Sequence, residues 1–248
     1  MNDLAGALLL STMAGLATGL GGLMAISRRP SERQLGFLMG FTAGVMLALA
    51  FVGLLDEAWE EAGFGTATIA FAAGALVMLV IDILLPHIRF AVQEPGVLDQ
   101  RLFTTGLLIA VGLSLHNIPE GAAVGAGYID TPELGIMVAA GMALHNVPEG
   151  VATALPIYAS GASKWAAFRL SLFAGLVEPA GALAAALLLT NFQGLAPAAL
   201  AFAAGVMTFI TLDELIPAAR REGHEHYTAL GIIFGGVCMF LVIGGLEP

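Results

Sequence analysis

Eight times along its length the chain runs apolar for some twenty residues: about 4–26, 35–55, 66–85, 102–127, 134–157, 168–190, 195–219 and 228–246. A run of roughly 20 apolar residues is the length of a helix that crosses a bilayer. A transmembrane β-barrel would need short alternating segments, and none is present. Only 11% of the residues are charged, where a soluble domain carries about a quarter. The expectation is an all-α integral membrane protein, one transmembrane domain over residues 1–248 with eight spanning helices. Thirty-two glycines suit helices that approach closely through small residues. The lone Cys238 excludes an intrachain disulfide.

The connections set a topology. Arg28, Arg29 and Arg33 fall between the first and second runs, and Arg89 and Arg101 between the third and fourth. Lys164 and Arg169 border the fifth and sixth, and Arg220 and Arg221 lie between the seventh and eighth. All nine basic residues thus sit on alternate connections. The positive-inside rule places that face in the cytoplasm and both termini outside, as in a bacterial inner (plasma) membrane protein. The first run has its basic cluster (SRRPSER, 27–33) after it rather than before it, so it is expected to be a retained helix and not a signal peptide. Asp56, Glu57, Glu60 and Glu61 crowd one outer loop, with Asp130 and Glu133 in another. Such a face is either simply solvated or a mouth that enriches cations. No basic stripe with interleaved aromatics is present, which argues against nucleic acid as a partner. FTAGVM (41–46) and FAAGVM (202–207) differ at one position, in helices of opposite direction. An inverted repeat, common in secondary transporters, produces that echo.

The fourth and fifth runs carry the same polar insertion, HNIPEG (116–121) and HNVPEG (145–150). On a helix His116, Asn117 and Glu120 share one face, and His145, Asn146 and Glu149 repeat it. Packed side by side, antiparallel helices would bring two imidazoles, two amides and two carboxylates together near the bilayer centre. An acid there costs about 2.5–3.5 kcal/mol on insertion scales, and two facing carboxylates repel. A divalent cation relieves both, and imidazole with carboxylate suits zinc and its first-row neighbours better than calcium or magnesium. Pro119 and Pro148 free the carbonyls of Leu115 and Leu144 to face a cavity or ligand. One copy alone would read equally well as interhelical hydrogen bonding; two with matched prolines favour a site.

Glu178, in GLVEPAGA (175–182), is a third intramembrane acid, mid-run and followed by proline, and joins the candidate ligands. Asp82, Asp213 and Glu214 lie nearer the cytoplasmic ends and would line an exit path or sit at the interface. Met46 by default is core packing, with a soft thioether ligand the minority reading. His224 and His226 form a pair that reads as a solvated loop more readily than a chelate.

These features together resemble the ZIP family of metal-ion transporters, and its GufA-like branch in particular: AGVM in the second run, DILLPH closing the third, the paired HNxPEG segments and the VEP of the sixth. The resemblance implies a binuclear site, one metal held by Met46, His116, Glu120, His145 and Glu149. The second would be held by Asn117, Glu120, Asn146, Glu149 and Glu178, the two glutamates bridging. It implies uptake of zinc, in some members iron, manganese, cobalt or cadmium, into the cytoplasm, by an elevator-like sliding of helices 1, 4, 5 and 6. It also implies the absence of a bound cofactor, and dimers are common in the family. The chain departs from many members in offering only His87 between the third and fourth runs, and in lacking HExPHE in the fifth. No GxxxxGK[ST] points to ATP, and no HExxH to a metalloprotease. The alternatives are a metal-selective channel and, less favoured, an intramembrane metal-dependent hydrolase.

Overall fold

A computed structural model describes residues 3–84, 97–220 and 225–246, and these contain helices and no strand. Helix α1 is Asp3–Ser27, α2 Glu32–Ala62, α3 Phe64–Leu84 and α4 Gln100–Asp130. Helix α5 is Pro132–Ala159, α6 Lys164–Asn191 and α7 Ala196–Leu215, and α8 Glu225–Leu246. Seven are long and apolar enough to cross a membrane. The other, α5, carries His145, Asn146 and Glu149, and its 28 residues still rise about 42 Å, ample for a bilayer core. Leu20, Leu76, Ile83, Phe234 and Leu241 project outward among other exposed large apolar side chains, the surface expected of a protein whose solvent is lipid.

The helices start where side chains satisfy their first amides. Ser31 and Gln34 form a reciprocal capping box at α2. Asp99 accepts from Leu102 N at α4, Thr131 from Leu134 N at α5 with Pro132 following, and Ser163 from Ala166 N at α6. Two connections turn on glycines in the left-handed region: Gly63 (φ 78°) between α2 and α3, and Gly161 (φ 94°) between α5 and α6.

Three features depart from the sequence-based expectation. Asp56, Glu57, Glu60 and Glu61 lie on a helical continuation of α2, Asp56–Ala62, rather than in a loop, because no helix breaker intervenes before Gly63. Glu178 is not inside a continuous helix: α6 is interrupted at Leu176 and Val177, and Glu178 opens its second half, Glu178–Asn191, with Pro179 in the first turn. A proline ring has no N–H to give the preceding turn and is readily placed there. Helices α2 and α7 also each contain a π-helical segment, Leu49–Leu55 and Thr211–Leu215, shortly after the FTAGVM and FAAGVM echoes. His87, Arg89, Arg221 and His224 lie outside the described residues; His226 is exposed on α8.

Packing follows a two-fold pattern. Helix α1 packs on α5 as α6 packs on α4, and α2 packs on α8 as α7 packs on α3. Glycines mark the register: Gly15 and Gly175 each abut the other's carbonyl, Gly21 abuts Val147 O as Gly181 abuts Ile118 O, and Gly150 abuts Thr18 O as Gly121 abuts Glu178 O. Exchanging α1 with α6 and α4 with α5 therefore maps contact onto contact, as an inverted repeat requires.

Candidate metal centre

The two polar segments meet where α4 packs against α5, and both are enclosed: His116, Asn117, Glu120, His145, Asn146 and Glu149 are all buried, as is Glu178. The asparagines act as matched anchors. Asn117 Nδ2 donates to Ala174 O on α6 (2.8 Å), and Asn146 Nδ2 donates to Ala14 O on α1 (2.9 Å), equivalent positions under the two-fold exchange. Each anchor donates to the neighbouring helix and leaves its Oδ1 without a partner in the interior.

His145 is oriented by its backbone. Its Nδ1 lies 3.0 Å from Gly141 O, and since a carbonyl only accepts, Nδ1 carries the proton. In the neutral ring Nε2 is then a lone pair, and it faces Glu120 Oε1 at 3.5 Å. Two acceptors pointed at each other in a dry interior need a proton or a cation between them. Glu149 closes the group: Glu120, His145 and Glu149 each offer an atom within 4.8 Å of the others. At an effective dielectric of about 20, two ionised carboxylates at that spacing repel by roughly 3.5 kcal/mol. Both Glu120 oxygens, His145 Nε2, Glu149 Oε2 and Glu178 Oε2 have no hydrogen-bond partner. Buried polar atoms are nearly always paired in folded proteins, so this concentration of orphaned acceptors, outnumbering the unpaired donors beside them, suits a cation.

The remaining candidates surround this group without all joining it. Glu178 accepts from Asn146 Nδ2 through Oε1. His116 has Nε2 3.2 Å from Glu214 Oε1 on α7 and Nδ1 unpartnered, while remaining near enough to Glu120 and Glu149 to interact with them electrostatically. Met46 is buried, and its Sδ accepts from Thr211 Oγ1 at 3.7 Å, in the π segment of α7. Asp82, Asp213 and Glu214 lie near enough to act on one another electrostatically, so the acids on α3 and α7 converge below His116.

Two residues near the centre are missing from the sequence-based set. Thr211, beside Met46, has no motif to betray it. Thr18 occupies on α1 the position that Glu178 occupies on α6; it is buried, and its Oγ1 is unpartnered. The centre is thus symmetric in its asparagine anchors and asymmetric at this pair, with a carboxylate on one side and a hydroxyl on the other. On the acidic face, Glu57, Glu61 and Asp130 also bring carboxylate oxygens within 4.8 Å of one another, linking the ends of α2 and α4 on that face.

Comparison with known proteins agrees with this geometry. The family model described as ZIP Zinc transporter matches residues 91–244, most of the chain and both polar segments. A protein of Corynebacterium efficiens named "Zinc transporter ZupT" is 41% identical, covering 94% of this chain and 94% of its own length. A namesake from Akkermansia muciniphila is 40% identical over 95% of each, and one from Chlorobium luteolum 39% identical over 97% of this chain and 98% of its own. With a family model covering more than half its length and relatives of this similarity end to end, the chain is a member of the ZIP family, a family of membrane transporters and not of enzymes.

Proposed function

We propose that the chain carries zinc, and with lower preference related first-row divalent cations, from the acidic face through the α4–α5 centre to the arginine-bearing face, which is cytoplasmic. The observation that carries this reading is the opposition of His145 Nε2 to Glu120, with Glu149 in the same group: neutral imidazole and carboxylate are a zinc donor set. The name that the relatives bear, zinc transporter, supports the same cargo. One ion would lie between Glu120, His145 and Glu149, joined by His116 and Met46. A second would use the free oxygens of Asn117, Asn146 and Glu178, with Glu120 and Glu149 bridging. The direction rests on the distribution of basic residues, and an inside-negative potential favours entry of a divalent ion by about 4.6 kcal/mol per 100 mV.

The manner of movement is supported by how the helices touch. Backbone-to-backbone contacts at glycines join α1, α4, α5 and α6 to each other, α2 to α8, and α3 to α7. Where glycines of one group face another they meet side chains: Gly53 faces Met137, and Gly141 faces Leu49 and Met239. Interlocked backbones resist sliding, whereas a side-chain seam can repack. The first group, which holds every site residue but Met46, would move as one body against the rest.

Two measurements test this. In proteoliposomes under an imposed inside-negative potential, the protein should give saturable zinc uptake; no flux of any divalent metal from correctly inserted protein would end the transporter reading. Saturation at micromolar zinc would separate a carrier from a channel. In a Cys238→Ser background, Gly53→Cys with Met137→Cys bridged by a reducible thiol cross-linker should stop uptake, and reductant should restore it. Uptake unaffected by a complete cross-link would reject movement along that seam.

A further inference from the structure

At the arginine-bearing end of α1 and α2, beside Tyr227 on α8, lies a groove of about 640 Å³. Its size lies within the range of ligand pockets, about 300–1,000 Å³. The walls are apolar, with Met24 on α1 and Phe37 and Leu38 on α2; the rim at the bilayer edge carries Arg28 and Arg33, with Ser27 and Gln34 beside them. Both arginines are exposed, and Arg33 is steadied by its guanidinium lying 5.7 Å from the centre of the Tyr227 ring. An apolar trough that ends in two guanidinium groups suits one chemistry: an acyl chain along the trough and a phosphate at the arginines.

The inverted repeat supplies a control within the molecule. A second groove, about 630 Å³, is walled by α6 and α7 together with Ala70 and Ala73 of α3 and Ile118, Pro119 and Ala122 of α4. The register set by the glycine contacts and by the FTAGVM and FAAGVM echoes pairs Met24 with Ala184, Arg28 with Leu188, Gln34 with Leu195 and Leu38 with Ala199. These partners line the second groove, so the fold itself makes a trough at each end. At the first end Arg28 and Gln34 stand where the second has Leu188 and Leu195, and Arg33 stands where it has Gly194.

The geometry points to a binding site for an anionic phospholipid of the leaflet on the arginine-bearing face, its acyl chain along Met24, Phe37 and Leu38 and its phosphate between Arg28 and Arg33. Helices α1 and α2 belong to different glycine-locked groups, so a lipid seated there touches both. Binding does not depend on the transport reading and is measured without it.

The test is lipid retention by the full-length protein in native mass spectrometry, after incubation with phosphatidylglycerol or phosphatidylcholine of matched chains. Wild type should retain phosphatidylglycerol in preference. Arg28→Ala with Arg33→Ala should reduce its retention five- to twentyfold, a basic side chain near an anionic surface being worth roughly fivefold. Arg101→Ala, on the same face outside the groove, should leave it unchanged, and Met24→Trp, which fills the trough, should lower retention of both lipids. Arg28→Ala alone leaves the Arg33–Tyr227 contact in place and should show a partial loss. Equal retention by wild type and the double variant would overturn the proposal. So would arginine-dependent binding of inorganic phosphate with no preferential lipid retention, which would mark a free-anion site.

Discussion

Glu120→Gln is expected to make the metal-free protein more stable while abolishing zinc transport. Glutamine keeps the volume of the side chain and removes one of the carboxylates that crowd the centre. Its amide can donate to His145 Nε2, which in the native chain faces only another acceptor. Satisfying such a buried atom is worth roughly 1–3 kcal/mol, a rise of several degrees in Tm for a chain of this size. Zinc, held as proposed above, would in contrast lose an anionic ligand. Even outer-sphere groups alter metal affinity by about 10–100-fold, so uptake should fall at least a hundredfold, and the Tm increase that saturating zinc gives the wild type should vanish. Glu149→Gln should behave likewise for transport. The informative result is the opposite sign of the two effects. A variant that is destabilised yet still carries zinc at the wild-type rate would show Glu120 to be a packing element, and the centre would have to be sought elsewhere.

The number and placement of the spans, and the pairing of His116, Asn117 and Glu120 with His145, Asn146 and Glu149, are legible in the sequence because hydropathy and helical spacing are local properties. What escapes it is relational. In lipid every helix face can be apolar, so no polar stripe tells which side of α1 meets α5 or α6; that is decided by where glycines let backbones close, at Gly15 on Gly175 and Gly150 on Thr18. The interruption of α6 before Glu178 follows from Pro179, yet Pro119 and Pro148 are carried inside unbroken helices, and the difference lies in their neighbours. His116 also meets Glu214, an acid 98 residues away that spacing could not connect to it. Thr18 becomes visible only once the two-fold exchange pairs it with Glu178.

Gly121→Ala and Gly150→Ala should cost similar stability and yet differ in what they do to transport. A Cβ on Gly121 would collide with the carbonyl oxygen of Glu178, and one on Gly150 with that of Thr18. The obstructing atom is backbone in both cases and cannot swing aside as a side chain would, so the helices must separate. Overpacking of this kind costs about 1–3 kcal/mol or more, seen as a fall of several degrees in the Tm of the detergent-solubilised protein. Gly244→Ala is the reference: its Cβ meets nothing within 4 Å, and a helical alanine there should be neutral or gain roughly 0.5–1 kcal/mol. The transport outcome divides the first two. Separating α4 from α6 moves Glu178, whose carboxylate is joined to Asn146 and whose free oxygen is offered to the cation. Separating α5 from α1 strains the Asn146–Ala14 anchor as the first change strains Asn117–Ala174, but the group displaced on the neighbouring helix is Thr18, a neutral hydroxyl. Zinc flux per folded molecule should therefore fall by a further order of magnitude in Gly121→Ala relative to Gly150→Ala, although their unfolding temperatures agree within a few degrees. Equal flux in the two would place Glu178 outside the transport path, and an unchanged Tm in both would show that these helices are not held at glycine contact distance.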